Sequence, residues 1–345
     1  MSTTTTTTAA ASATASCLNI KPGKDGFLPP EACDALLPYV PSFAAAVLFT
    51  VIFGATLVAH LVQAITFRKR FCWVVIMGAF WEVTAMVFRV LLTRNQSQVA
   101  FYLPNFLFIQ LAPLWLNAFM YMILGRMVYF LVPEKRLFGI SAKRLATIFV
   151  CLDVLTFLVQ ATGGILASQQ NGSQSIIQTG MHIYMVGIGV QEFCILVFTA
   201  LLVAFQRRVM RSALPPQVQG PSWKWLFFSM YTALILITIR IIYRLVEYSD
   251  GTDYSTSPIL SHEWYMYVFD ATPISLAFLV VNIFHPGRFL IGPDSEFPRL
   301  TRMEKKRLKA ERKARKARKG RDDEFGAFYE DTHEILNSEQ REDAV

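Results

Sequence analysis

The chain has 345 residues, 53% of them hydrophobic and 17% charged, with 33 Lys and Arg against 25 Asp and Glu for a net charge of +8. A mean hydropathy of +0.38 excludes an ordinary soluble globule. The basic excess is not a nucleic-acid footprint either, because it lies in short gaps between apolar stretches and in the carboxyl-terminal tail, where it faces anionic lipid.

Residues 1–41 begin Thr-, Ala- and Ser-rich and carry no apolar block suited to a cleaved signal peptide, so a disordered outer tail is expected. Cys17 and Cys33 are separated by 15 residues on the oxidising side, and a disulfide is favoured over two free thiols. Seven apolar stretches follow, at 42–67, 71–92, 101–132, 145–166, 176–205, 223–248 and 264–284. Each approaches or exceeds the roughly 20 residues needed to cross about 30 Å of hydrocarbon. The expected fold is all-α, a seven-transmembrane helix bundle over 42–287.

The gaps alternate in charge. Arg68, Lys69 and Arg70 follow the first stretch, Lys135, Arg136, Lys143 and Arg144 the third, and Arg207, Arg208, Arg211 and Lys224 the fifth; the other side holds only Lys21, Lys24 and Arg94. Positive charge therefore puts the amino terminus outside and the carboxyl terminus in the cytosol. The glycosylation tripeptides at Asn95 and Asn171 both fall in outer gaps, and Asn171, in mid-loop, is the better acceptor. The cytosolic tail, 288–345, is basic over 300–321 and acidic over 322–345. Its basic part is expected to lie on anionic inner-leaflet lipid. The stretch 331–336 resembles an acidic dileucine signal, a pattern short enough to arise by chance.

Ionisable groups inside apolar spans cost at least about 2.5 kcal/mol each unless they face a cavity or a partner, so they mark function. Following the spans alternately inward and outward places Glu82, Asn117, Gln160, Gln191 and Glu192 near the midplane. Arg126 and Asp153 fall in the cytosolic half, and Arg89, Arg240, Arg244, Glu247, Glu263 and Asp270 in the outer half. Glu82 and Arg89, seven apart, share a face, and Arg240, Arg244 and Glu247 form one stripe. Asp270 lies within reach of Arg240 or Arg244. Arg126 and Asp153 form a candidate structural ion pair. The outer half holds more charges than pairing requires, which predicts a polar cavity. Cys72, Cys151 and Cys194 read as small apolar residues.

In order and spacing across all seven spans the chain resembles a known family. The matching residues are Glu82 with Arg89; Leu111-Ala112-Pro113, then Ala118, Tyr121 and Gly125-Arg126; Phe149, Asp153, Gln160 and Gly163-Gly164. They continue with Gly187 and Gln191; Ile239-Arg240, Tyr243-Arg244 and Glu247-Tyr248; His262-Glu263, Tyr267 and Phe269-Asp270; and His285-Pro286-Gly287. These mark a resemblance to the fungal lipid-translocating exporters, the aminocholesterol-resistance and sphingoid long-chain base exporter-like proteins. The resemblance implies outward movement of amphiphilic lipids or toxic amphiphiles. Ala85 and Met86 stand where the family usually has Gly-Tyr, and Asn117 where a small apolar residue is usual.

A long-chain base is a cation on an apolar tail. Glu82, Asp153 and Asp270 offer carboxylates at three depths for its ammonium, and Gln160 and Gln191 offer hydrogen bonds to a diol. There is no Gly-rich phosphate loop with Lys and Ser or Thr, and no cofactor is expected. The topology also fits a seven-span receptor or lipid sensor, although the acidic-Arg-aromatic and Asn-Pro-x-x-Tyr signatures are missing. A metal-dependent hydrolase is disfavoured because His60, His182, His262, His285 and His333 are scattered along the chain.

Overall fold

The structure, a computed structural model, describes residues 18–29, 32, 36–37, 39–132, 134–169, 173–211, 222–249, 257–289 and scattered helical positions between 303 and 314. Cys17, Cys33, Asn171, His333 and the stretch 331–336 lie outside the described residues, as does most of 300–321. The chain divides into a first unit, Met1–Ser295, and a second, Glu296–Val345.

Seven helical segments of the first unit are long and apolar enough to cross a membrane: Phe43–Phe67, Arg70–Arg94, Val99–Leu131, Ala142–Ala167, Gln174–Arg211, Trp223–Ser249 and Trp264–Arg288. The protein is a multi-pass membrane protein. Its helices are α1 (Phe43–Phe67), α2 (Trp73–Arg94), α3 (Val99–Leu131), α4 (Ala142–Ala167), α5 (Gln174–Arg211) and α6 (Ser222–Ser249). A short helix α7 (Pro258–Ser261) precedes the seventh span, which is built from α8 (Trp264–Met266), a π-helical turn over Tyr267–Ala271 and α9 (Thr272–Ile283). Each span packs against its neighbours in sequence, and α9 closes back onto α1. Between α3 and α4 the strands β1 (Arg136–Leu137) and β2 (Ile140–Ser141) form a small antiparallel hairpin that the sequence pattern did not suggest.

Two prolines shape the interior. Pro113, within α3, has no N–H to give the carbonyl of Ile109, four residues back. Pro273 stands just after the π turn, whose extra residue rotates Asp270 into the bundle. Small residues bring α4 and α5 together. A Cβ on Gly163 would sit 2.4 Å from the Tyr184 nitrogen and 2.7 Å from the Gly180 oxygen, so the two backbones touch.

The tail ahead of α1 is not wholly disordered. Among its described residues Leu28, Ala32 and Leu37 are buried, and a 3-10 turn at Lys24–Gly26 lies against the α2–α3 connection, where Gly26 approaches Gln96. Leu18 and Ala32, next to the two cysteines, form an isolated parallel bridge.

Candidate functional site: a buried charge network

The stripe on α6 faces the π turn. Arg240 Nε lies 2.5 Å from Asp270 Oδ1, and Arg244 pairs with the other oxygen of the same carboxylate. Arg244 also reaches Glu247 at 2.9 Å, and Glu247 accepts from Tyr243 at 3.1 Å. Arg240 has further work: its Nη2 donates to the Ile109 carbonyl and to Gln110 Oε1, each at 2.9 Å. Gln110 in turn donates to the Tyr184 hydroxyl. One network thus ties α3, α5, α6 and the π turn together through groups that are nearly all buried.

Glu82, only 1% exposed on α2, belongs to the same neighbourhood. Arg240, Asp270 and Arg244 are its electrostatic neighbours, yet it makes no direct ion pair among the described residues. Two helical turns further, on the same face, Arg89 meets Glu263 at 2.6 Å and donates to the Tyr39 hydroxyl at 3.0 Å. The other Glu263 oxygen accepts from the Ser42 N–H at 2.5 Å, and Tyr267 donates to Glu263 at 3.2 Å. Burial raises the pKa of the Tyr39 phenol above its ordinary value, so it meets Arg89 as a neutral hydroxyl.

This corrects one expectation. The outer charges are not in surplus: Arg89, Arg240 and Arg244 each meet a carboxylate, and Glu247, Glu263 and Asp270 are all engaged. Glu82, nearer the midplane, is the neighbouring carboxylate without an ion pair among the described residues.

The family model described as RTA1 like protein matches residues 75–292, which contain every member of this network except Tyr39 and Ser42. The chain belongs to the RTA1-like family. It is 48% identical over 300 residues, 85% of its own length and 78% of the relative's, to the probable lipid transporter atnI of Emericella nidulans. It is 30% identical to protein RTA1 of Saccharomyces cerevisiae, over 76% of this chain and 88% of that one. The sphingoid long-chain base transporter RSB1 of the same yeast is 23% identical, over 75% of each chain. No solved structure matches.

A second buried centre of this RTA1-like protein lies between α3, α4 and α5, and it differs from the expected Arg126–Asp153 pair. Asp153 accepts from the Tyr121 hydroxyl at 2.9 Å, whereas Arg126 lies over the Phe71 ring at 3.8 Å and bonds the Met122 carbonyl. Tyr121 and Arg126 are five positions apart, which turns them roughly 140° from each other on the helix, so only one faces α4. The Asn117 carboxamide lies beside Asp153 and is fully buried. Gln160 donates to Gln191 at 2.7 Å, and Glu192 accepts from Thr238 at 3.0 Å.

The departures from the family pattern also have places. Ala85 and Met86 are fully buried, and the Ala85 carbonyl accepts from Asn105 at 2.8 Å. Asn95 is exposed, its Nδ2 donating to the Leu91 carbonyl at 3.2 Å. Cys72 and Cys194 are buried and Cys151 is exposed. Among the described residues no cluster of three or more His, Cys, Asp or Glu is arranged to hold a metal ion.

Sequence reasoning missed Gln110, Asn105, Tyr184 and Tyr39. Gln110 had an available signal, since it lies seven residues before Asn117 and shares its helix face. Tyr39 had none, because its role depends on how the preceding tail folds back over the bundle.

Proposed function

We propose that the chain carries amphiphilic lipids, or toxic lipid-like amphiphiles, outward across the bilayer and so gives resistance to them. Sphingoid long-chain bases and sterol amines are the substrates of choice. Its action is transport rather than catalysis. It resides in the plasma membrane with the amino terminus outside and the carboxyl terminus in the cytosol. That orientation is supported by the basic groups gathered at Arg68, Lys69, Arg70, Lys135, Arg136, Arg208 and Lys224. The names of the relatives, a lipid transporter and a sphingoid long-chain base transporter, support the substrate class.

The observation that carries this reading is Glu82, a buried carboxylate beside a doubly paired Asp270. An ammonium headgroup entering the bundle meets Glu82 first and then competes with Arg240 and Arg244 for Asp270. Charges are exchanged between partners, and none is stranded in hydrocarbon, where an isolated one is costly. The apolar tail remains in lipid while the headgroup moves. Gln160, Gln191 and Asn117 lie along the same path as uncharged hydrogen-bonding groups. The basic tail holds anionic inner-leaflet lipid.

The test is reconstitution of purified protein into liposomes with labelled phytosphingosine. Wild-type protein moves the label. Glu82→Gln and Asp270→Asn keep near-normal abundance and lose movement, because an amide of the same shape lacks the charge. Normal movement in both variants would reduce the network to architecture. Binding without movement would favour the receptor alternative.

A further inference from the structure

The α1–α9 seam carries a set of polar groups that the charge network does not use. On α1, Thr56, His60, Gln63 and Phe67 recur at four-, three- and four-residue steps. On the seventh span Phe278, Asn282 and His285 recur at four and three. The first set makes one face of α1; Phe278 and Asn282 share a face of α9, and His285 follows just past its end in extended backbone, and the two sets face each other. Gln63 Nε2 donates to the Asn282 carbonyl at 2.8 Å, Asn282 Nδ2 approaches the Thr56 carbonyl at 3.5 Å, and the Phe67 and His285 rings stack at 5.0 Å. The sequence pattern treated His60 and His285 as scattered, but the fold brings them into one neighbourhood at the end of the bundle that bears Arg68, Lys69 and Arg70.

His285 is fully engaged: its Nδ1 accepts from the Gly287 N–H at 3.1 Å, and its Nε2 lies 3.3 Å from Cys72 Sγ. The others are not. His60 is 0% exposed and stands edge-on to Phe278, close to that residue's backbone but with neither ring nitrogen in a well-formed hydrogen bond. Gln63 Oε1 and Asn282 Oδ1 are buried and unpartnered as well, and Asn282 is 6% exposed. Because both amide nitrogens point at backbone carbonyls, the orientation of each carboxamide is fixed and the unused atoms are oxygens. Orphaned buried polar atoms are rare and costly, and here they cluster.

The geometry points to an uncharged headgroup subsite at this seam, made by His60, Gln63 and Asn282, that takes the hydroxyl groups of an amphiphile. The inventory fixes the chemistry. Two carboxamide oxygens and one nitrogen of a neutral imidazole accept, and the other imidazole nitrogen donates, so the fitting ligand is rich in hydrogen-bond donors and has no need of an anionic group. Charged recognition is left to Glu82 and Asp270, and the diol or triol part of a long-chain base suits the seam. Access fits too: of the neighbouring pairs in the ring, α1 and α9 make the sparsest contact, and α1 turns Val58, Leu61, Val62 and Ile65 outward toward lipid. The inference rests on the proposed transport of amphiphiles and adds where their hydroxyls are read.

The deciding experiment titrates the full chain in nanodiscs with two probes, phytosphingosine and octadecylamine, which share an amine and a long chain but differ in hydroxyl groups. Wild-type protein should prefer phytosphingosine by about tenfold or more. His60→Phe and Gln63→Met should bring the two affinities to within about twofold with octadecylamine binding unchanged; His60→Phe should retain the melting temperature, whereas Gln63→Met gives up its bond to the Asn282 carbonyl and should melt lower while remaining folded. Gln63 is only half-buried, so its variant decides the matter if His60→Phe fails to fold. Retention of the preference in folded variants would overturn the subsite, as would a wild-type protein that binds and moves both probes alike. A wild-type protein that binds neither probe would overturn the transport reading itself.

Discussion

Arg240 supplies the hydrogen bond that Pro113 withholds: its Nη2 lies 2.9 Å from the Ile109 carbonyl, the acceptor that an ordinary residue at 113 would have satisfied within α3. A helix break on one span and a charge on another are thus parts of one arrangement. The guanidinium fork lets a single side chain serve that carbonyl, Gln110 and Asp270 together.

Removing the guanidinium should therefore be severe. Arg240→Ala is expected to destabilise by about 3–5 kcal/mol, as for other broken buried pairs, and Arg240→Lys should rescue little because an ammonium lacks the fork. Pro113→Ala restores an N–H to Ile109. In a double-mutant cycle the Arg240→Ala and Pro113→Ala effects should be less than additive by about 0.5–3 kcal/mol. Thermal melting of the detergent-solubilised protein, followed by size-exclusion chromatography, measures all three. Strict additivity would show the shared carbonyl to be energetically idle.

At the second centre the order of effects distinguishes Tyr121 from Arg126 as the partner of Asp153. Tyr121→Phe strips the carboxyl of its donor and should cost about 1–3 kcal/mol, with little change in backbone structure. Arg126→Ala loses its contact with the Phe71 ring, worth about 0.5–2 kcal/mol, and leaves the Tyr121–Asp153 bond in place. Exchanging the residues at 126 and 153 should not restore stability, and a rescued melting temperature in that exchange would contradict the geometry.

The α4–α5 contact separates glycines by position. Gly163→Ala forces a Cβ into the Tyr184 backbone and should destabilise by at least about 1–3 kcal/mol. Gly189→Ala, on the same helix pair, meets nothing within 4 Å and should be neutral or stabilising by up to about 1 kcal/mol through helix propensity. Expression level and melting temperature of the two variants make the comparison.

Orientation can be checked without any transport assay. A reporter fused after Val345 should be protected from external reagents in intact cells, and Asn171→Gln should abolish a glycan-dependent gel shift while Asn95→Gln leaves it in place. A surface-accessible reporter would reverse the proposed topology.

The spans were legible because hydrocarbon thickness imposes a length that composition reveals directly. The Arg240–Arg244–Glu247 stripe was legible for a similar reason, since charges are scarce in such spans and helical spacing orients them. Arg126 misled because depth alone suggested a partner, while the direction of the side chain depends on where α3 is rotated. That helix is enclosed by neighbours along most of its length, and although Gln110 and Asn117 share one face of it, nothing in the sequence says which neighbour that face meets. The fixing of Glu263 by Ser42 and Arg89 required knowledge of a backbone N–H at the entry to α1, which no residue type announces.

The touching backbones at Gly163 and Gly180 have a mechanical consequence. Where backbone meets backbone there is no layer of rotatable side chains to yield, so α4 and α5 move as one stiff body or not at all. Compliance must then be found on the opposite flank, where α1 leans lightly on a seventh span already interrupted by its π turn. Relative movement of helices is accordingly expected on that flank, between α1 and the seventh span, and not between α4 and α5.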